Sequence, residues 1–224
     1  MTSEIDSPSR LLQALIRIPS VNPDGDPASP HTGEAACARF VGEFLANECG
    51  AEIHYDEVLP DRPNVIARLT PSVTNSGKPR ILFAPHTDTV SVAGMTIDPF
   101  GGEIRDGKIW GRGASDTKGT MAAMLWAFRE LRDRLPELNA EVTFAGFMGE
   151  ETGQPGSQHF AARYQGQFDF AIVGEPTELD VVHTHKGCVW VELTATGRAC
   201  HGAQPERGDN AITKLLPVLQ AIDT

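Results

Sequence analysis

The sequence predicts an α/β fold: a mixed, mostly parallel sheet flanked by helices, with the start of a smaller α+β domain after it. Strand-length apolar runs alternate with stretches of helical periodicity over residues 1–184, the order from which parallel sheets are built. Several of those runs break directly into loops bearing His, Asp or Glu, where an open α/β sheet gathers its functional groups. Beyond that stretch the pattern reduces to one alternating strand and one helix, which cannot enclose a core unaided. A first domain over 1–184 and the beginning of a second over 185–224 follow.

Ser7 to Arg17 reads as a capped helix with Leu11, Leu12, Leu15 and Ile16 on one stripe, stopped by Pro19. The segment IPSVNPDGDPASP is dense in Pro, Asp and Gly and is a loop. Thr32 to Cys49 carries Phe40, Phe44 and Leu45 at helical spacing. Strands follow at Glu52–Leu59 and Asn64–Leu69, then a polar loop, PSVTNSGKP. The run Ile81 to Ala84 is apolar on both faces, as a central strand is, and ends at Pro85. Residues 101–110, GGEIRDGKIW, form a hairpin turning on Asp106 and Gly107. Met121, Met124, Leu125, Phe128 and Leu131 mark a helix that starts just after Asp116. Glu141–Met148 and Phe168–Val173 are two further strands, each ending in a carboxylate motif. In the last part, Val189, Val191, Leu193 and Ala195 alternate with Trp190, Glu192, Thr194 and Thr196 like a half-exposed strand, and a loop leads into a helix over Asn210–Ile222. Neither internal repeats nor low-complexity tracts interrupt this order.

Composition narrows the function. At 224 residues and 40% hydrophobic content, the protein is large and apolar enough to bury a core of its own. Nineteen basic against thirty acidic residues leave a formal net charge of −11 with no basic run to offset it, which excludes a nucleic-acid partner. The opening MTSEIDSPSR lacks a basic region followed by an apolar stretch, and nowhere do eighteen apolar residues run together. A soluble, cytoplasmic protein without a membrane partner is expected. Cys37, Cys49, Cys188 and Cys200 occur singly, with no CxxC pair, and read as reduced structural cysteines.

The chemistry lies in an ordered series of metal-seeking groups. One carboxylate near a turn means little, because Asp favours solvated loops in any case. Here His86 and Asp88 in PHTDTV, Asp116 in GRGASDTKG, Glu150 and Glu151 in GEET, and Glu175 in GEP recur where apolar runs end. Imidazole and carboxylate ligands converging on one sheet edge suit two divalent ions, zinc first, with manganese or cobalt as alternatives. His86 and Asp88, two apart at a strand end, leave on one side, so the carboxylate can brace the ring and fix its tautomer. Asp116 fits either a bridging carboxylate, fixed by the approach through Gly111 and Gly113, or a helix N-cap. The adjacent Glu150 and Glu151 invite division of labour, one holding metal and the other taking a proton from water. A phosphate loop is excluded, since GxxxxGK[ST] is not present.

These residues, in this order and spacing, resemble the M20 family of metallopeptidases, and the likeness runs from about Leu11 to the last residue. The resemblance implies a zinc-exopeptidase-like catalytic domain followed by a lid and dimerisation domain. It makes His86 and Glu175 terminal ligands of one metal, Asp116 the bridge, Glu151 a ligand of the other, Glu150 the general base and Asp88 the brace on His86. It also implies a cis peptide from Asp116 to Thr117, and a lid histidine, His201, that steadies the oxyanion in the partner subunit of a homodimer. The implied reaction is hydrolysis of the amide bond of a small N-acyl amino acid by a metal-activated water, in the manner of acetylornithine deacetylase, which the HKG at 185–187 and the ERGDNAI stretch favour over the desuccinylase. The alternatives are a noncatalytic remnant of the family and a metal-dependent aminopeptidase or carboxypeptidase. The family's second-metal histidine and its lid arginine have no counterpart before Thr224, and His183 and His185 are out of context, so the second site is expected to be incomplete and the protein shortened at its C-terminus.

Overall fold

A five-stranded sheet with helices on both faces organises the first part of the protein, as seen in a computed structural model that describes residues 5–69, 77–134, 137–187 and 189–222. In sequence order the elements are α1 (Pro8–Ile16), α2 (Ala35–Cys49), β1 (Glu52–Leu59), β2 (Arg62–Leu69), β3 (Arg80–Ala84), β4 (Glu103–Arg105), β5 (Lys108–Trp110), α3 (Lys118–Asp133), β6 (Glu141–Gly146), α4 (Pro155–Arg163), β7 (Phe170–Val173) and α5 (Ala211–Ile222). The chain divides into two units, Met1–Asp180 and Val181–Thr224.

In the first unit the strand order is β1-β2-β6-β3-β7. The β1–β2 and β2–β6 ladders are antiparallel, whereas β6–β3 and β3–β7 are parallel. The carboxyl ends of β3, β6 and β7 therefore open on the same edge, which is where functional groups collect in such sheets. Alternation sorts the side chains between two faces. Val65, Ala67 and Leu69 of β2 and Val142 and Phe144 of β6 join Leu11, Leu15, Phe44, Met121, Leu125 and Phe128 from α1, α2 and α3. On the other face, Ile66, Leu82, Ala84 and Ala145 pack with Phe147 and Phe160 under α4.

Local chemistry explains the element ends. Ser7 caps α1 by accepting a hydrogen bond from the Arg10 amide, and Pro8 occupies the first turn, where its missing N–H costs nothing. The helix expected from Thr32 starts at Ala35 because Gly33 lies at φ +103°, outside helical space. β2 begins at Arg62, earlier than expected, since Leu59 already pairs with Arg62 across a tight turn. Gly146 ends β6 before the expected Met148, and Phe147 keeps only a single bridge to His86. Phe168 falls outside β7 and stacks on Phe160 instead. The expected hairpin is present as β4–β5, with Asp106 and Gly107 both at positive φ. Most of the polar loop PSVTNSGKP, together with Cys188, lies outside the described residues.

The second unit departs from the sequence reading. Val189 to Thr196 form no strand, and Val189 and Trp190 on its two faces are 85% and 90% exposed. An alternating pattern becomes a strand only when a ladder partner takes its hydrogen bonds, and the described residues of this unit offer none. Its order comes from a bridge between Arg198 and Asp209, a 3₁₀ turn at Pro205–Arg207, and α5, whose first amides at Ile212 and Thr213 donate to the Asn210 side chain. Cys37 and Cys49 are buried, and burial pushes both thiols up, Cys49 to about 12, so both are inert; Cys200 is exposed and, like them, a free thiol. Among the described residues no helix is long and apolar enough to cross a membrane.

Candidate metal centre

Each ligand candidate sits where backbone chemistry stops a strand or starts a helix. Pro85 ends β3, and the backbone beyond it stays clamped to the end of β6: the Phe147 amide donates to Pro85 O at 2.9 Å and the Thr87 amide to Phe147 O at 2.8 Å. His86, held between these bonds, is almost fully buried. After β6 the backbone turns at Gly149, where φ is +69° and a Cβ would lie 2.9 Å from Pro155 Cγ, so only glycine fits. Glu150 and Glu151 follow directly. Gly113, at φ +81° with Lys118 Cδ 3.0 Å from a Cβ position, brings the backbone to Asp116. The Asp116–Thr117 peptide is cis, as the resemblance implies. Thr117, not Asp116, is the N-cap of α3, and it makes no side-chain cap bond, which leaves the Asp116 carboxylate free of the capping role. Glu175 follows β7, one residue after Gly174, whose amide donates to Ala84 O.

These loops converge on the His86 ring. Nε2 lies 3.1 Å from Asp116 Oδ1, 3.9 Å from Glu175 Oε1 and 4.0 Å from Glu150 Oε2. Two sets of ligand atoms, His86–Asp116–Glu151 and His86–Glu150–Glu175, each fall within 4.8 Å. On the far side of the ring, Nδ1 is 3.0 Å from the Asp88 carbonyl oxygen and 3.4 Å from its carboxylate Oδ1. The Asp88 carboxylate, fully buried, also accepts from the Asn22 side chain and from the Glu150 and Glu151 amides. It thus braces the glutamate pair as much as the imidazole.

The electrostatics call for a cation. Among the described residues no lysine or arginine ion-pairs with Asp116, Glu150, Glu151 or Glu175. Burial alone would lower the His86 pKa, but hydrogen bonds with Asp116 and Asp88 outweigh it and hold the ring up at about 10. Burial pushes Glu151 up to about 7, with repulsion from Asp116, Asp88 and Glu150 adding to it against the attraction of His86. Glu175 is raised by burial too. Carboxylates that crowd one imidazole form a donor set that a divalent ion satisfies, and one imidazole with carboxylate oxygens suits zinc, manganese or cobalt.

Six of the seven sequence-predicted site residues, His86, Asp88, Asp116, Glu150, Glu151 and Glu175, therefore meet in the first unit. His201 belongs to the second unit, where it is exposed and its Nδ1 accepts from the Ala203 amide at 3.2 Å. His183 and His185 are exposed in that unit as well. Several supporting residues escaped the sequence reading. Gln154 Nε2 donates to Glu150 Oε1 at 2.8 Å, and the Thr117 hydroxyl donates to Gly174 O. Asn64 accepts from the Met148 amide at 3.1 Å and donates to Gly156 O at 2.9 Å. Arg62, paired bidentately with the fully buried Glu34 at 2.9 and 2.7 Å, lies against Gly149. Lys118, itself buried, donates to Leu15 O and Ile18 O and so ties the end of α1 to the start of α3.

Comparison with known proteins agrees with the fold and with the family resemblance. The family model for peptidase family M20/M25/M40 matches residues 82–216. Acetylornithine deacetylase from Yersinia pseudotuberculosis is 34% identical over 206 residues, covering 90% of this chain and 52% of the relative. Succinyl-diaminopimelate desuccinylase from Beijerinckia indica is 32% identical over 226 residues, covering 95% and 56%. Among solved structures, an M20 family metallo-carboxypeptidase from Sulfolobus solfataricus superposes with a TM-score of 0.63 at 25% identity, over 75% of this chain and 37% of the other. A tripeptidase from Staphylococcus aureus shares the fold, with a TM-score of 0.63 at 17% identity over 95% of this chain and 55% of the other. The chain spans about half the length of the curated relatives it matches.

Proposed function

The chain belongs to peptidase family M20/M25/M40, and from that premise we propose that it is a metal-dependent hydrolase of the amide bond in small N-acyl amino acids, with an acetylated amino acid such as acetylornithine as the leading substrate. His86 and Glu175 would hold one divalent ion, Glu151 the other, and Asp116 both. Ions held there supply Lewis acidity, which polarises the amide carbonyl and acidifies water. What carries the reading is the set of carboxylate oxygens at 3.1, 3.9 and 4.0 Å around His86 Nε2, with no lysine or arginine paired to them among the described residues.

Glu150 is the proton carrier. Gln154 occupies its Oε1, which leaves Oε2, on the His86 side, to take a proton from the attacking water and return it to the leaving amine. Asp88 works behind the ligands, orienting His86 from Nδ1 and holding the glutamate pair by its amides. An oxyanion contact from His201 and a homodimer belong to the same proposal and rest on the family resemblance. A cytoplasmic setting rests on composition, the four single cysteines above all. The choice of an acetyl over a succinyl group rests on the HKG and ERGDNAI stretches.

The test is zinc titration of the protein together with turnover of N-acetylornithine, N-succinyl-diaminopimelate and an unblocked dipeptide. Zinc uptake with acetylornithine turned over fastest supports the proposal. A preference for the unblocked peptide would make the protein an aminopeptidase, and zinc uptake without turnover of any substrate would make it a metal-binding protein. Absence of zinc uptake would refute the metal centre.

A further inference from the structure

We propose that Asn22 is the positioning residue of this centre: it anchors the Asp88 carboxylate, which in turn sets the Glu150–Glu151 segment for metal. The proposal rests on reading the cluster as a metal centre. Asp88 Oδ2 accepts from Asn22 Nδ2 at 2.6 Å and from the Glu151 amide at 3.0 Å; Oδ1 accepts from the Glu150 amide at 3.0 Å. The two amides belong to the segment being positioned, so neither can serve as its anchor. His86 Nδ1, 3.4 Å from Oδ1, already has the closer Asp88 carbonyl at 3.0 Å. That leaves Asn22 as the side chain that fixes how the carboxylate is turned about its Cβ–Cγ bond.

Asn22 is built for the task. It is 1% exposed, and its Oδ1 accepts from the Asp24 amide at 2.9 Å and the Gly25 amide at 3.3 Å. Its own amide donates to Thr89 O at 2.8 Å, next to the residue it anchors. A flipped side-chain amide would set NH₂ against two N–H groups and oxygen against a carboxylate, so one orientation is dictated. The same loop passes the glutamate turn, since a Cβ on Gly25 would touch Thr152 Oγ1 at 3.5 Å. Losing Asn22 therefore frees Asp88 to rotate, and both glutamate amides lose their alignment at once.

The experiment compares the protein with Asn22→Ala, Asn22→Asp and the control Gln13→Ala, which removes another buried amide donor, to Gly102 O at 2.6 Å, elsewhere in the unit. Hydrogen exchange at the Glu150 and Glu151 amides is read without added zinc, and zinc affinity by calorimetry. Both amides should exchange about tenfold faster in Asn22→Ala than in Gln13→Ala. Zinc should bind about 10–100-fold more weakly, the usual effect of losing a residue that orients ligands. Asn22→Asp, which sets a second carboxylate against Asp88, should be at least as impaired; if it does not fold, Asn22→Ala decides. Exchange at both amides equal to that of Gln13→Ala overturns the proposal. A parent protein that binds no zinc overturns the metal centre instead, and the exchange result still decides whether Asn22 positions the segment.

Discussion

Replacing Thr117 by valine tests whether the Asp116 and Glu175 loops are held together by one hydroxyl. Thr117 is fully buried, and its Oγ1 donates to the buried Gly174 carbonyl while lying 2.5 Å from Thr120 Oγ1. Valine matches threonine in shape, so no cavity opens, but the Gly174 oxygen loses its donor. An orphaned buried acceptor costs about 2 kcal/mol. In a protein of this length that lowers Tm by ~4–8 °C. Because Gly174 precedes Glu175 and Thr117 follows Asp116, the loss also loosens two proposed ligands against each other, and zinc affinity should fall about 10–100-fold. Thr117→Ser keeps the donor and removes a methyl group worth about 1 kcal/mol, so it should lose stability while retaining zinc affinity. Calorimetric unfolding and zinc titration on the three proteins separate these effects. A valine variant with parental Tm and parental zinc affinity would refute the reasoning, and so would a serine variant as weak for zinc as the valine.

Other outcomes follow from the same geometry. Glu150→Gln should take up zinc within a few-fold of the parent yet lose turnover by about 10²–10⁴-fold, which steady-state kinetics on acetylornithine would show. Asp169 is held at about 2, down from 3.8, by hydrogen bonds from Arg80. A carboxyl with a lowered folded pKa binds fewer protons folded than unfolded, so its contribution is present above pH ~4 and lost toward pH ~2. Urea midpoints of Asp169→Asn should accordingly lie below the parent's at neutral pH and meet them in acid. Phe128, fully buried and edge-on to Phe83 and Phe144 at 6.3 and 6.2 Å, should cost about 3–5 kcal/mol when cut to alanine, measured by urea unfolding.

The sheet and the cluster of candidate ligands were legible in the sequence for the same reason. Ile81 to Ala84 and Val142 to Phe147 are apolar almost without interruption, and a histidine or carboxylate directly after such a run is conspicuous. Periodicity also located α1, α3 and the β4–β5 hairpin, whose Asp106–Gly107 turn has a backbone requirement that few residues meet. Periodicity misled at Val189 to Thr196, because alternation describes how a strand would face its surroundings and says nothing about whether a neighbour takes its hydrogen bonds. The Asp116 alternatives could not be separated for a related reason: N-cap and ligand use the same residue type at the same place, and only the direction of the side chain decides.

The supporting residues were hidden more deeply. Asn22 lies in a loop where Asn is ordinary, and its partner is 66 residues away; Thr117 reaches its partner across 57. Asn22, Asn64, Thr117 and Gln154 are all uncharged, so none stands out beside the acidic series, yet they decide how the carboxylates are turned. This division has a physical basis. A cationic brace beside crowded carboxylates would offset the field that draws a divalent ion, whereas a neutral amide or hydroxyl fixes orientation and leaves that field intact. The distinction predicts different responses to substitution: changing a ligand removes a coordinating atom outright, while changing a neutral support leaves every ligand present and degrades affinity by degrees.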